Sequence, residues 1–387
     1  MTTSHWFRNN SSAVADTSTD ILIVGGGHVG LSTAYWLTEM RPDLKVTILE
    51  RRFCGAGASG RNAGFLTKGS VSFYKSLVQD WGDEKAKSLY LFAVESLALV
   101  HEHILKKCQI PFEATTSSTL MRSDQQKNAL QEGGFSPESF NFNWTDASRL
   151  PLSLQKTFLG SFENGPEYKI NPVDLLRSLK SILSERGVEL IEGSMAFEIA
   201  DKGVRTENQF IKSKQVVLAL NGYFPQFATP FQNIITPRRA QMLAVEIEEG
   251  FNCPSLYYDS PERVYWRKAG ERVLLIGGKR LLDEKGEVGD YEKISPKIQR
   301  GLEQYVSEQL GLKYKVIDRW SGTMGFTEHE LPLAGRIKAP VETFFIGGFS
   351  GHGMGLGFHS GKDMAEIVLG IKSESFFNQF KSVDLPL

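Results

Sequence analysis

This sequence has few cysteines and a net charge close to zero, and each of these features narrows the range of possible functions. Only three cysteines occur, Cys54, Cys108 and Cys253, and none has the paired spacing of a zinc site or a redox dithiol. They therefore predict no metal site and favour a reducing compartment. Lysine and arginine number 44 against 45 aspartate and glutamate, so the net charge of -1 offers no broad footprint for nucleic acid or anionic lipid. A small, locally charged substrate fits this composition better.

Long uninterrupted apolar runs are also lacking. The longest, residues 21–37, contains four glycines and His28 within its first ten residues, so it predicts a strand, a turn and a helix and not a membrane span. Residues 1–20 are polar and lack the basic-then-apolar order of a signal peptide. We therefore predict a cytoplasmic protein without a membrane span.

The sequence of 387 residues is longer than a domain with a single hydrophobic core usually is, which favours two domains. Short apolar runs that lead into glycine, asparagine or serine occur at residues 21–24, 215–220 and 343–346, and they are typical of buried parallel strands that end at a ligand. Runs at 242–247 and 273–276 favour antiparallel strands. We predict a nucleotide-binding domain assembled from residues 1–70, 155–230 and 315–387, and a second domain assembled from residues 71–154 and 231–314.

A dinucleotide-binding fingerprint follows the first predicted strand. Gly25 permits a tight turn, Gly27 lets the backbone approach a pyrophosphate, and Gly30 allows close packing of the following helix. A second predicted strand ends in Glu50, twenty residues after Gly30, where an acidic side chain is expected to bind ribose hydroxyls. This fingerprint alone does not choose between NAD and FAD.

Two further glycine-rich segments favour FAD. Residues 55–64 follow Glu50 directly, and their bare backbone, with Ser59, Arg61 and Asn62 as donors, suits a pyrophosphate and a flavin edge. A flexible surface loop is the alternative. Residues 347–357 lie between a predicted strand and a helix, where backbone N–H groups and the helix dipole stabilise negative charge on a reduced flavin ring. An NAD-dependent dehydrogenase has no need of this second loop.

These motifs together resemble the D-amino acid oxidase superfamily of flavoproteins. The resemblance rests on residues 25–30, 58–64, 216–222 and 348–353, which occur in the expected order along the chain. It is strongest towards the glycine oxidase and sarcosine oxidase branch. Within that branch, residues 59–64 are most like the gamma-glutamylputrescine oxidoreductases. It implies an α/β protein in which an FAD-binding, Rossmann-like domain of the glutathione reductase type is interleaved with an α+β substrate domain built on an antiparallel sheet.

The resemblance also implies a reaction. A small-molecule amine or amino acid is oxidised at the carbon next to nitrogen, hydride passes to flavin N5, the imine hydrolyses, and oxygen or another electron acceptor reoxidises the flavin. Two alternatives remain open: an NAD-dependent dehydrogenase, supported by the first fingerprint only, and a flavoprotein subunit without catalytic turnover.

The cofactor contacts implied by the resemblance fall in the glycine-rich motifs and beside them. Gly322 stands where sarcosine oxidase has its flavin-linked cysteine, so the FAD is expected to be noncovalent, with Cys54 as a poor substitute for that cysteine. The implied FAD-binding residues are Gly25, Gly27, His28, Val29, Gly30, Glu50, Arg51, Ala58, Ser59, Arg61, Asn62, Ala63, Gly64, Ala196, Ala219, Leu220, Asn221, Gly222, Gly322, Gly348, Gly351, His352, Gly353, Met354 and Gly355.

Candidate catalytic residues come mainly from the second domain. The resemblance places Tyr265 and Trp266 near the substrate face of the flavin, with a core aromatic residue on a strand as the alternative for Tyr265. Arg239 and Arg267 are candidates for binding an anion, with a surface ion pair as the alternative for Arg267. Lys279 follows Leu275, which stands where the family's oxygen-activating lysine is expected.

Gly355 stands where sarcosine oxidase has a lysine that binds the substrate carboxylate. A glycine supplies no such charge. We therefore predict a preference for an extended amine, with any anionic group further from the nitrogen, over glycine or sarcosine.

Overall fold

The computed structural model describes residues 17–227 and 231–380, and these residues form two β-sheets with helices around them. Most of the polar segment noted at the N-terminus, residues 1–16, lies outside the described residues. The first sheet contains β1 (Thr17–Val24), β2 (Val46–Leu49), β7 (Glu189–Ile191), β8 (Ala196–Ala200), β9 (Gly203–Thr206), β10 (Phe210–Leu218), β16 (Leu333–Ile337) and β17 (Glu342–Gly347). The second contains β3 (Phe65–Leu66), β4 (Phe112–Met121), β5 (Asn143–Asp146), β6 (Gly160–Ile170), β11 (Thr236–Ile247), β12 (Leu256–Asp259), β13 (Val264–Lys268), β14 (Val273–Gly278) and β15 (Tyr314–Phe326).

The helices fall mostly between strands. They are α1 (His28–Met40), α2 (Val71–Trp81), α3 (Asp83–Val100), α4 (Asp124–Gln131), α5 (Leu152–Gln155), α6 (Pro172–Glu185), α7 (Phe224–Phe227), α8 (Pro296–Gln304) and α9 (Gly353–Val368). The α/β fold with an antiparallel second sheet is therefore confirmed.

The first sheet has a parallel centre with the order β17-β10-β1-β2-β7, and β16 adds an antiparallel edge. All three apolar runs that the sequence marked as parallel strands converge here. Ile21 and Ile23 of β1 pack against the helical layer that holds α1 and α9, whereas Leu22 and Val24 pack into the core on the opposite face. Both faces are covered, as the continuous apolar runs indicated.

The second sheet is largely antiparallel, with β4 and β12 as a parallel pair. Along β11, Leu243 and Val245 point into a core that α8 covers, and Met242 points to the opposite face, in a small cluster with Ala63 and Phe65. Because alternate residues of a strand face opposite sides, only the face that carries Met242 looks towards the glycine-rich loops.

The sheet memberships of three strands differ from the predicted domain boundaries. The ranges 1–70, 155–230 and 315–387 are predicted to form the nucleotide-binding domain, yet β3, β6 and β15 pair in the second sheet. Residues near 64, 171 and 327 are therefore better points of division. The discontinuous assembly itself remains a proposal.

The segment Asp83–Leu105, which contains α3, is long and apolar enough to cross a membrane, with a mean hydropathy of 1.2, but half of that apolar stretch is buried in the fold. Leu89, Ala93 and Leu97 are part of the main core. We interpret the segment as a core helix. The cytoplasmic location stays a prediction.

Candidate cofactor and substrate site

Three adjoining cavities run from the ends of the parallel strands to the second sheet, and Ala58 lines all three. The strand-end cavity, of about 140 Å³, lies where β1 and β2 end and is lined by Gly25 and Glu50. The middle cavity, of about 100 Å³, lies at the N-terminus of α1. The inter-domain cavity, of about 270 Å³, lies between the C-terminal glycine-rich loop and the second sheet. Such an elongated path suits a dinucleotide whose reactive ring faces a second domain.

The glycines of the fingerprint have distinct roles in the strand-end and middle cavities. A Cβ at Gly30 would lie 1.9 Å from the carbonyl oxygen of Gly25, so a side chain there cannot coexist with this packing of α1. Gly25 has φ +115°, and its Cβ would lie 2.5 Å from the Ala219 carbonyl oxygen. At Gly27 a Cβ would meet only Ser59 Oγ, at 3.1 Å. Gly27 thus leaves room for a phosphate at the helix N-terminus, as the fingerprint requires.

Glu50 is held at the end of β2 by two backbone N–H groups. Gly26 N donates to Oε2 at 2.9 Å, and Arg52 N donates to Oε1 at 2.9 Å. Each carboxylate oxygen keeps a second lone pair, which suits it to accept from ribose hydroxyls.

Removing this carboxylate tests the assignment of the strand-end cavity. Glu50→Ala leaves ribose hydroxyls without acceptors, so FAD binding should weaken by about 1 to 3 kcal/mol. Titration of the apoprotein with FAD measures the change. Glu189→Ala, on the neighbouring strand β7, is the control and should bind FAD as the wild type does. Unaltered FAD affinity in Glu50→Ala would show that the acid is misassigned.

The loop of residues 55–64 is ordered by its own polar side chains. Arg61 donates to the carbonyl oxygens of Ala56 at 2.8 Å and Ser321 at 3.2 Å, and it pairs with Glu292 at 3.0 Å. Asn62 Nδ2 donates to Ser59 O at 2.7 Å, and its Oδ1 accepts from Gly64 N at 2.8 Å. The alternative of a flexible surface loop is therefore wrong. The expected donation to the cofactor by Asn62 is corrected as well, because both hydrogens of its amide are directed at protein carbonyl oxygens. Arg61 keeps further N–H groups, so its donation to the cofactor stays a prediction.

Asn221 and His28 tie the C-terminal loop to the rest of the site. Asn221 Oδ1 accepts from Gly348 N at 3.1 Å and from Phe349 N at 3.3 Å. His28 Nδ1 lies 3.2 Å from the carbonyl oxygen of Gly353, which assigns the ring proton to Nδ1. Burial lowers the pKa of His28 to about 4, so the ring is neutral.

His28 Nε2 gives a direct test of whether a flavin cofactor fits. This atom is buried and makes no hydrogen bond with any of the described residues. The His28 side chain lies at the middle cavity. A neutral ring protonated at Nδ1 leaves Nε2 as an acceptor, and a buried acceptor requires a donor. A hydroxyl-bearing chain in the middle cavity would satisfy it, so the residues fit FAD.

Most of the implied FAD-binding residues line at least one cavity. Four do not: a Cβ at Gly64, Gly222 or Gly348 would collide with protein atoms, as it would at Gly30, so these glycines allow close packing. The lining residues are Gly25, Gly27, His28, Val29, Glu50, Arg51, Ala58, Ser59, Arg61, Asn62, Ala63, Ala196, Ala219, Leu220, Asn221, Gly322, Gly351, His352, Gly353, Met354 and Gly355.

Tyr265 and Tyr258 form the wall of the inter-domain cavity on the second sheet. They are directly opposite each other on β13 and β12, and both rings contact the edge of Phe65, at centroid distances of 5.8 and 5.3 Å. Burial raises the pKa of Tyr265 to about 12 and also raises the pKa of Tyr258, so both hydroxyls stay protonated. Tyr258 was missed in the sequence, because only its pairing with Tyr265 marks it.

Trp266 and Arg267 do not contribute to this wall. Trp266 points to the opposite face of the sheet, where it is fully buried and stacks on Tyr257. Arg267 lies on the cavity side of β13, but its guanidinium donates to the carbonyl oxygens of Ala63 at 2.5 Å, Ile170 at 2.8 Å and Lys268 at 3.1 Å. The interpretation of these two residues as catalytic is corrected: they hold strands together.

Arg239 and Lys279 are also absent from the cavities. The Arg239 side chain is buried on the reverse face of β11, where it binds Gly286 O and lies 3.8 Å from Glu287. Lys279 pairs with Glu262 and lies over the Tyr305 ring. Both side chains are bound to protein partners, so neither is placed to act on a substrate.

Lys68 and Glu167 were missed in the sequence and form a buried pair at the inter-domain cavity. The Lys68 side chain lines the cavity, with Nζ 3.0 Å from Pro166 O and 3.8 Å from Glu167 Oε1. Burial raises the pKa of Glu167 to about 7 and lowers that of Lys68. No local sequence pattern marks this pair, because the two residues are brought together by β3 and β6.

The remaining predicted positions agree with a noncovalent cofactor. Gly322 lines the inter-domain cavity and offers no side chain for attachment. Cys54 is buried against the fingerprint, at 2.6 Å from where a Gly26 Cβ would lie, and burial raises the pKa of its thiol to about 12. A protonated thiol beside the fingerprint glycines, and not at the inter-domain cavity, is poorly placed to bond to a flavin ring.

Comparisons with known proteins agree with this geometry. A family model described as FAD dependent oxidoreductase (DAO) matches residues 20–367. A probable oxidoreductase OrdL of Rhizobium meliloti is 26% identical, over 92% of this chain and 84% of that protein. A gamma-glutamylputrescine oxidoreductase of Escherichia coli is 26% identical, over 91% of this chain and 84% of that protein.

Solved structures share the fold. A glycine oxidase from Geobacillus kaustophilus superimposes with a TM-score of 0.78 at 18% identity, covering 95% of this chain and 99% of that one. An L-proline dehydrogenase from P. horikoshii has a TM-score of 0.75 at 19% identity, with 96% of each chain covered. The chain therefore belongs to the DAO family of FAD-dependent oxidoreductases.

Proposed function

We propose that the protein oxidises the C–N bond of an extended amine or amino acid. Membership of an FAD-dependent family sets aside the NAD-dependent alternative. The observation that carries the proposal is the inter-domain cavity, in which the glycine-rich loop of residues 347–357 faces a wall of protonated tyrosines. Relatives named for oxidising gamma-glutamylputrescine and sarcosine support an amine substrate.

The residues of the inter-domain cavity support different parts of such a reaction. Tyr258, Tyr265 and Phe65 exclude water and offer aromatic faces to an amine. Bound FAD supplies the acceptor for the two electrons that leave the C–N unit. The carbon loses a hydride and the nitrogen a proton, and a C=N bond forms. Water then hydrolyses the imine to a carbonyl compound and to ammonia, or to an amine where the reacting nitrogen carries a second carbon. Oxygen or another acceptor then takes up the electrons.

The position of Gly355 supports the preference for an extended substrate. A Cβ there would lie 1.9 Å from the carbonyl oxygen of Thr67, so this position has no space for any side chain. A carboxylate next to the reacting nitrogen therefore finds no cation at this point of the cavity wall. Charge-assisted hydrogen bonds of that kind contribute about 1.5 to 3 kcal/mol.

Anaerobic reduction of the bound flavin tests the proposed function. Mono-acylated diaminobutanes and unmodified diamines should bleach the flavin, and their kcat/KM should exceed that of glycine or sarcosine by about tenfold or more, the equivalent of one lost charge-assisted bond. A reversed preference would contradict the extended-amine proposal. If no amine or amino acid bleaches the flavin, the alternative of a flavoprotein subunit without turnover is supported instead.

A further inference from the structure

Three arginines gather on one side of the inter-domain cavity. Arg238 and Arg280 lie over the ring of Phe326, at 5.8 and 4.3 Å from its centroid, and Arg263 is close enough to repel Arg280. We call these three side chains the arginine cluster. The three arginines come from separate strands or turns, so no local sequence motif predicts the cluster.

The arginine cluster lies beside the inter-domain cavity, on the same face of the second sheet, and its three side chains are not among the residues that line the cavity. Arg238 is directly opposite Met324 in the pairing of β11 with β15, and residues paired in this way project to the same face of a sheet. Met324 lines the inter-domain cavity, as does Ala240, two residues along β11 from Arg238. Arg280 is near enough for its charge to act on the hydroxyl of Tyr265 in the cavity wall.

The positive charge of this cluster is poorly compensated by protein groups. Arg238 has Glu284 at 3.5 Å, whereas Arg280 has no carboxylate within 4 Å in the part of the chain that the structure describes. The Nε atoms of both are buried without a hydrogen-bond partner among those same residues. Burial and the two neighbouring arginines lower the pKa of Arg280, and the exposed Glu330 opposes this only in part. Buried, charged donors without acceptors are costly unless a ligand supplies the acceptor.

We propose that Arg238 and Arg280 bind a carboxylate at the end of the substrate remote from the oxidised nitrogen. This assignment rests on the proposed function and extends it, since it names the group that the far end of an extended amine carries. The planar forks of two guanidinium groups match a carboxylate. The same charge repels a second ammonium group, so an unmodified diamine is a poorer substrate than one whose far end is acidic.

A matched pair of ligands tests the assignment on the FAD-loaded protein. One is mono-succinyl diaminobutane, a primary amine that ends in a carboxylate, and the other is its terminal carboxamide. Binding is measured from the perturbation of the flavin spectrum by the N-acetylated, unreactive form of each compound. Anaerobic flavin reduction is measured with the free amines.

The wild type should bind the carboxylate about tenfold or more tightly than the carboxamide, as loss of a charge-assisted bond implies. Arg280→Gln should remove this difference by weakening the carboxylate alone, and Arg280→Lys should restore part of it. Arg336→Gln is the matched control. Arg336 lies over a phenylalanine ring as Arg280 does, and it pairs with a glutamate as Arg238 does, but it lies in the first sheet. The control should bind both compounds as the wild type does.

Equal binding of the two compounds by the wild type, or equal weakening of both by Arg280→Gln, would overturn the assignment. Flavin content reports on folding of each variant, and Arg238→Gln provides a second variant should Arg280→Gln lose its flavin. Selective binding of the carboxylate without any flavin reduction would uphold the arginine site while refuting the proposed oxidation. Failure of the arginine site and failure of the proposed oxidation therefore give different results.

Discussion

Gly30→Val should be purified without flavin. A Cβ at this position would lie 1.9 Å from Gly25 O and 3.1 Å from the carbonyl carbon of Gly25, and both atoms belong to the turn that must hold the pyrophosphate. Valine adds two further methyl groups, so α1 must move away from β1. Overpacking of this kind costs about 1 to 3 kcal/mol in an adaptable core, and this contact is with rigid backbone. The ratio of flavin to protein absorbance should fall by about tenfold or more, which corresponds to a loss of only 1.4 kcal/mol.

Gly57→Ala is the matched control for this variant. Gly57 also lines the strand-end cavity, but its Cβ would have Tyr223 at 3.6 Å as its nearest neighbour, an ordinary contact. This variant should keep the flavin content of the wild type. If Gly30→Val keeps it too, the helix does not pack on the turn as described, and the fingerprint is not the cofactor site.

Glu167→Leu should destabilise the protein at pH 5. The Lys68 and Glu167 side chains are 4% and 0% exposed, and Glu167 Oε1 accepts from Lys68 N at 3.0 Å, so removal of the carboxyl group leaves buried donors of Lys68 without their partner. Leaving a buried polar group unpaired costs about 1 to 3 kcal/mol. Urea unfolding of the holoenzyme, followed by tryptophan fluorescence, measures the loss. The double variant Lys68→Met with Glu167→Leu should recover most of it, and a double variant as unstable as Glu167→Leu would mean that the pair is not the cause.

The pH dependence of the same carboxyl group supplies an independent measurement. Burial raises the pKa of Glu167 from 4.5 to about 7, so its contribution to stability is fully present below pH 4.5 and is lost as the pH rises through 7. The wild type should therefore lose stability relative to Glu167→Gln between pH 4.5 and 7, at about 1.4 kcal/mol for each unit of pKa shift. A pH-independent difference would show that the carboxyl group has an ordinary pKa.

Much of the cofactor half of the molecule was predictable because its determinants are local. A glycine such as Gly25 or Gly30 is dictated by a turn or a close approach only a few residues away, and the parallel strands are apolar on both faces. The same is true of Glu50, whose position at the end of β2 follows from the spacing of the fingerprint.

The substrate half was less predictable because its geometry depends on which face of a strand meets the cofactor. Arg239 was selected from the sequence, yet its neighbour Arg238 points to the cavity side, and Trp266 was selected together with Tyr265 although the two face opposite ways. A shift of one residue exchanges the faces of a strand, and the sequences of β11 and β13 carry large or polar residues on both. Only the pairing of the strands shows which face of each strand meets the cofactor.

The order in which the ribosome makes this chain sets when the cofactor can be acquired. His28 and the Gly353 carbonyl that it contacts are 325 positions apart, and β1, made first, is flanked by β10 and then by β17, made almost last. A nascent chain that stops before β16 therefore has its fingerprint but not the loop that closes the middle cavity, and it leaves the β10 edge without its partner strand. Unpaired edges of this kind favour aggregation. Flavin capture must then be a late, post-translational event, and truncated products of this chain should be targets for chaperones and proteases, not flavin carriers.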